Sequence, residues 1–276
     1  MKKIYLFIAL AMVAGMTVSC KNNKKAQNDA ATEEVVEAAK VILSDDVLAT
    51  IDEFAQQFMD KEGTIYVPAL IASKLSEEDK LIKPDYLLDP AIVNNLVTKN
   101  QKINALAILV ADRNIRKAYD MPMEEAEEAI ARLYAELNHP VNNDTDGELS
   151  ASQKLRKTYD MCKERGEIGY FWQFCFGLIQ ETQYLISYNA DVFFDNVTEE
   201  QFQAFLGRLE NCIDAVKTLA DYDPEVKEAW DIFCSACDFK ENHEEARKVM
   251  GTIEGARAFY SSRKEAYDAH RVDLFK

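Results

Sequence analysis

Thiols and clustered oxygen ligands are the groups in this 276-residue chain whose spacing invites chemistry. Cys20 closes the run Thr17-Val18-Ser19-Cys20. It stands behind the apolar stretch Ile4 to Ala14, which follows Lys2 and Lys3. That stretch is 11 residues, too short to span a bilayer as a stable helix. Cys234 and Cys237 have CxxC spacing. A redox pair needs its first cysteine at a helix N-terminus, where the dipole stabilises the thiolate. Here the pair follows Ala229-Trp230-Asp231-Ile232-Phe233, inside a helical pattern. Zinc would need further ligands, and only His243 stands near. Asp238 rather than His follows Cys237, against c-type haem attachment. Cys162, Cys175, Cys212, Cys234 and Cys237 therefore read as buried thiols or a local disulfide, an odd set in which at least one cannot pair internally. His139, His243 and His270 are isolated and read as surface or cap residues. No GxSxG, Walker loop or dinucleotide fingerprint occurs.

The basic start, short apolar core and small residues before Cys20 have the layout of a secretory signal. With the cysteine at the cut site, the segment resembles a bacterial lipobox, and the chain resembles a bacterial lipoprotein. That resemblance implies a diacylglyceryl group on the Cys20 sulfur, removal of residues 1–19 and acylation of the new amino terminus. Two or three acyl chains would anchor the chain stably to a membrane, since each buried CH₂ contributes about 0.8 kcal/mol.

Residues 142–153 bring together oxygen ligands for a hard cation. The segment resembles an EF-hand calcium loop, with Asn142, Asp144 and Asp146 at positions 1, 3 and 5 and Gly147 at the sharp turn. Glu148 would offer its carbonyl, Ser150 its hydroxyl or a water, and Gln153 stands at position 12. Asn142 and Gln153 depart from the pattern: Gln153 cannot supply a bidentate carboxylate, so affinity would be low. The departures favour a polar helix-to-helix turn, with Asn, Asp and Gly for φ > 0 and Ser150 as N-cap. No cofactor is expected beyond calcium at this loop.

Residues 167–190 are the most hydrophobic helical stretch. Polar residues sit among its aromatics, so Tyr170, Trp172, Gln173, Gln180, Glu181 and Tyr184 are candidates for lining a small-molecule cleft. The plainer reading is a core helix whose polar residues meet loops and caps. Asp112, Arg113, Arg116 and Asp120 read as a solvated or ion-paired helix face.

The elements that must position these residues are helical. Nine glycines and six prolines are few for this length, and the composition favours helix over a turn-rich β fold. Apolar residues from Val47 to Met59 recur at three- and four-residue steps behind Ser44. Thr64-Ile65-Tyr66-Val67 suggests a short strand. Asp89-Pro90 reads as a helix start with a break near Thr98. Further helices are expected from Asp120–Pro122 to Leu137, from Ser150 to near Gly166, over 167–190, behind the capping box of Thr198 and Gln201, from Asp223-Pro224 to about Asp238, and from Asn242 to near His270. The expected fold is all-α, a multi-helix bundle of roughly eight or nine helices, with no solenoid period. The expected division is a signal peptide at 1–19, a lipidated cysteine and flexible tether at 20–43, and a helical domain at 44–276.

The net charge is −16. Such acidity disfavours nucleic acid and electrostatic binding to anionic lipid, so membrane contact would rest on the anchor. The layout resembles the uncharacterised helical lipoproteins of the Bacteroidetes. Their surface-exposed members carry an acidic stretch after the cysteine, whereas Lys21-Asn22-Asn23-Lys24-Lys25 follows here. The resemblance thus implies the periplasmic face of the outer membrane rather than the cell surface. The expected function is a lipid-anchored binding or scaffolding protein rather than an enzyme, with an unknown protein or small-molecule partner. The alternatives are a small-molecule binder using 167–190, a weak calcium module at 142–153, or a hydrolase with a dispersed site.

Overall fold

The computed structural model describes residues 41–60, 65–138, 151–237 and 248–276. All lie in one unit, Lys40–Lys276. Within it run α1 (Asp45–Asp60), α2 (Val67–Lys74), α3 (Lys99–Ala118), α4 (Glu124–Glu136), α5 (Ala151–Arg165) and α6 (Ile168–Tyr188). Then follow α7 (Ala190–Phe194), α8 (Glu199–Leu219), α9 (Pro224–Cys237), α10 (Ile253–Ser261) and α11 (Lys264–Asp273). Short 3₁₀ turns occupy Asp79–Leu81 and Pro90–Asn94. The all-α class is as expected, with 11 α-helices among the described residues rather than eight or nine. No described helix is long and apolar enough to cross a membrane.

The extra helices come from local breaks. Asn189 interrupts the stretch 167–190 and separates α6 from α7. Ser262 and Arg263 divide the last expected helix into α10 and α11, and α11 continues past His270 to Asp273. Val67 opens α2 instead of closing a strand, because Pro68 suits a first helical turn. Asp89 and Pro90 start only a 3₁₀ turn, with Asp89 accepting from the Ala91 amide. The long helix behind it begins at Lys99, where Thr98 and Gln101 form a reciprocal capping box. Thr198 and Gln201 form the second box, at the start of α8.

Helix α6 is the central element, packed on α3, α5, α8, α9, α10 and α11. Its surface is apolar nearly all round, which a helix tolerates only when surrounded. Trp172 is fully buried, with ring centroids 5.5 Å from Phe58 of α1 and 5.4 Å from Phe171. This first cluster draws on α1, α5, α8 and α9. A second gathers Phe193, Phe194, Phe202, Phe205 and Tyr260 around the C-terminal half of α6. A third joins α3 to α4 through Leu106, Leu109, Ile130 and Leu133. Each fully buried aromatic or branched side chain contributes about 1.5–3 kcal/mol.

Helices α3 and α6 run in the same direction. Gly177 lies against Ala107 and Asn104, and one to two turns later Asp112 and Glu181 meet a common arginine. A Cβ on Gly177 would stand 2.8 Å from the Ala107 Cβ. Glycine therefore permits the close approach that brings these two acids together.

Candidate functional site

The approach of α3 to α6 places two carboxyls inside the protein. Asp112 is 0% exposed and Glu181 2%. Arg271, from α11, reaches both: its Nη2 lies 3.4 Å from Asp112 Oδ2 and 3.4 Å from Glu181 Oε1. Its Nη1 donates to the Tyr86 carbonyl at 2.5 Å. Its guanidinium carbon stands 4.3 Å from the centroid of the Tyr184 ring, a cation–π placement. The segment from Tyr86 to Leu88 closes the remaining side. The Leu88 amide donates to Asp112 Oδ2 at 2.9 Å, and Arg116 donates to the Leu88 carbonyl. The Tyr184 hydroxyl donates to the Tyr86 carbonyl at 3.3 Å.

Burial dominates the electrostatics. It pushes the Asp112 carboxyl above the usual carboxylate range, with Arg271 and the Leu88 amide pulling back. Burial pushes Glu181 up further; Arg271 opposes this, and the negative Asp112 adds to it. The two carboxyls are within hydrogen-bonding reach. Like charges at that range do not both ionise readily, and Glu181 is the more strongly raised of the two. Burial disfavours the charge on Arg271, yet Glu181 and Asp112 together hold its pKa above the ordinary value.

Beside this cluster, His270 of α11 meets Gln180 of α6, with Nε2 2.6 Å from Gln180 Oε1. Burial lowers the His270 pKa to about 4. The ring is therefore neutral at pH 7, with its proton on Nε2 facing the carbonyl oxygen. The rings of Tyr86, Tyr184 and Tyr188 pack at a tilt beside the cluster, with centroids 4.4 Å apart for Tyr86–Tyr188 and 4.9 Å for Tyr184–Tyr188. Lys264 Nζ sits 3.6 Å from the Tyr188 centroid, and the Tyr188 hydroxyl donates to Asp268 at 2.7 Å.

The aromatic-helix candidates fall into two places. Gln180, Glu181 and Tyr184 belong to the cluster just described. Tyr170 and Trp172 belong instead to the first core cluster, towards the N-terminal end of α6. Gln173 is 3% exposed, and its amide atoms have no hydrogen-bond partner among the described residues. The six thus do not line one cleft. A cavity of about 130 Å³ lies at the α6 N-terminus, bordered by Leu43, Leu48, Lys163, Ile168, Leu219 and Asp223. It is smaller than the pockets that take drug-sized ligands, about 300–1,000 Å³.

Asn142, Asp144, Asp146, Glu148 and Ser150 lie outside the described residues, as does Cys20. Gln153 stands in the first turn of α5. Among the described residues, no group of three or more His, Cys, Asp or Glu is arranged to hold a metal ion. Cys162, Cys175 and Cys212 are buried free thiols, and Cys234 is half-buried. Burial raises the Cys162 pKa to about 12 and pushes Cys175 and Cys212 up as well, so these sulfurs are poor nucleophiles.

Two sequence expectations are overturned here. Asp112 and Arg116 are buried, so the solvated face fails, while ion pairing holds for Asp112 with Arg271 and for Arg113 with Glu127 at 2.6 Å. His270 is 5% exposed, not a surface residue. A usable signal was present: Asp112 shares a helical stripe with Ile108 and Ile115, and both are fully packed. A charge on an apolar stripe predicts a buried partner of opposite sign.

Comparison with protein-family models, curated proteins and solved structures gave no match to the chain.

Proposed function

We propose that this chain is a lipid-anchored extracytoplasmic protein whose helical domain binds or scaffolds a partner. The observation that carries this reading is the N-terminal layout: Lys2-Lys3, the apolar run to Ala14, then Thr17-Val18-Ser19-Cys20. The polar stretch from Lys21 to about Thr32 suits a tether, and the first helix among the described residues begins at Asp45. The absence of acids directly after Cys20 favours the periplasmic face of the outer membrane. Binding is favoured over catalysis because the buried titratable groups Asp112, Glu181 and His270 are engaged with Arg271 and Gln180.

The test is expression in a Gram-negative host followed by intact-mass measurement and membrane fractionation. The proposal expects a mature chain beginning at Cys20 and carrying acyl groups, held in the outer membrane and protected from protease in whole cells. Cys20→Ala should abolish acylation and release the protein. A mature chain without acyl mass, or one cut elsewhere than before Cys20, refutes the reading.

A further inference from the structure

We infer that Asp112, Glu181, Tyr184 and the Tyr86 carbonyl form a guanidinium-binding site, filled here in cis by Arg271 and open to an arginine of another polypeptide when α11 detaches. Three features select this chemistry. Two buried acids face one Nη nitrogen, each 3.4 Å away. A backbone carbonyl accepts from the other Nη at 2.5 Å. An aromatic face lies 4.3 Å from the guanidinium carbon. A planar, forked cation satisfies the acids, the carbonyl and the ring at once, whereas an ammonium group is a point charge that cannot stack.

The occupant's own helix is attached in an unusual way. The buried residues of α11 are His270 and Arg271, followed just beyond its end by Leu274. Residues 264–266 are exposed. Polar contacts hold it at four points, His270 to Gln180, Arg271 to the acids, Asp268 to the Tyr188 hydroxyl and Lys264 over the Tyr188 ring, beside the apolar packing of Tyr267 on Tyr260 and of Leu274. Such interfaces resemble transient contacts more than a core. An arginine-bearing partner also suits the charge of the chain, −16 overall. The inference stands whether or not Cys20 carries lipid.

Chemical rescue tests it. In the full chain carrying Arg271→Ala, methylguanidinium chloride should raise Tm saturably by about 2–4 °C relative to equal sodium chloride. Methylammonium chloride should give no such rise, and adding Asp112→Asn should remove the effect. No saturable rise in a folded Arg271→Ala chain, or an equal rise with methylammonium, overturns the site. The wild type gives a second measurement that does not depend on the variant folding. A synthetic peptide spanning Arg263–Lys276, added in trans, should speed amide exchange in α11 several-fold while leaving α6 unchanged; the same peptide with Arg271→Ala should not. Exchange of α11 that stays coupled to α6 with either peptide overturns its detachment.

Discussion

His270 makes the stability of this bundle depend on acidity in a way its sequence position would not suggest. Its folded-state pKa is lowered from 6.5 to about 4 by burial. The unfolded chain therefore binds the extra proton between those values and the folded chain does not. Stability is intact above the unfolded pKa, falls as pH drops from about 6.5 towards 4, and levels off below. A shift of that size corresponds to about 3 kcal/mol, a large share of the 5–15 kcal/mol typical of a domain. His270→Gln replaces the ring with a neutral amide that can still donate towards Gln180. The assay is urea unfolding of residues 20–276 carrying Cys20→Ser, for wild type and variant, at several pH values from 7.5 to 4. The variant starts less stable, because the Phe233 ring, whose centroid stands 6.2 Å from the imidazole, loses a packing partner. The decisive quantity is the slope: between pH 7 and 4 the wild type should lose about 3 kcal/mol more than the variant. Other groups that titrate in this range contribute to both chains and cancel in the difference. Parallel pH profiles would falsify the assignment of a buried neutral imidazole.

Other perturbations separate the remaining contributions. Glu181→Gln keeps the shape and removes a charge that burial disfavours, so at pH 7 it should cost less than Asp112→Ala, which strands Arg271 and should cost about 3–5 kcal/mol in urea unfolding. Because the folded pKa of Glu181 is raised, its wild-type contribution falls as pH rises above the unfolded value; Glu181→Gln should flatten that part of the profile. Gly169→Ala would place a Cβ 2.2 Å from Asp223 Oδ2. It should lower stability by about 1–3 kcal/mol through overpacking and a displaced cap, seen as a lower Tm. Thr198→Ala removes the acceptor for the Gln201 amide and should cost about 1 kcal/mol in the same assay.

The helices were legible in the sequence because their signals are local. Thr198 with Gln201 announces α8 through hydrogen bonds spanning three residues, and the all-round apolar surface of α6 announces a central position without any knowledge of its neighbours. The charge cluster was not legible in the same way. Asp112, Glu181 and Arg271 are separated by 69 and 90 residues, and only the packing of α3, α6 and α11 unites them. Arg271 looks like an ordinary basic residue in a polar helix, and nothing nearby marks it as buried. Asn189 and Ser262 broke helices that apolar periodicity alone would have continued, because periodicity reports a face and not the backbone turn that redirects it.

The shared direction of α3 and α6 has an electrical consequence. Two adjacent parallel helices bring like poles together, which neighbouring charges can offset. At the N-terminal, positive pole, acids converge from α9 and its cap. Glu228 accepts from Asn100 at 2.7 Å, Glu225 pairs with Lys99 at 2.6 Å, and the Asp223 carboxylate caps α9 while resting on Gly169 in the first turn of α6. At the opposite, negative pole, Lys83 donates to the Tyr119 and Asp120 carbonyls at 2.7 and 2.8 Å, just past the end of α3. The bundle thus carries an internal polarity with counter-charges fixed at both poles. Exchanging Lys83 for an acid would set like against like where the α3 carbonyls already crowd.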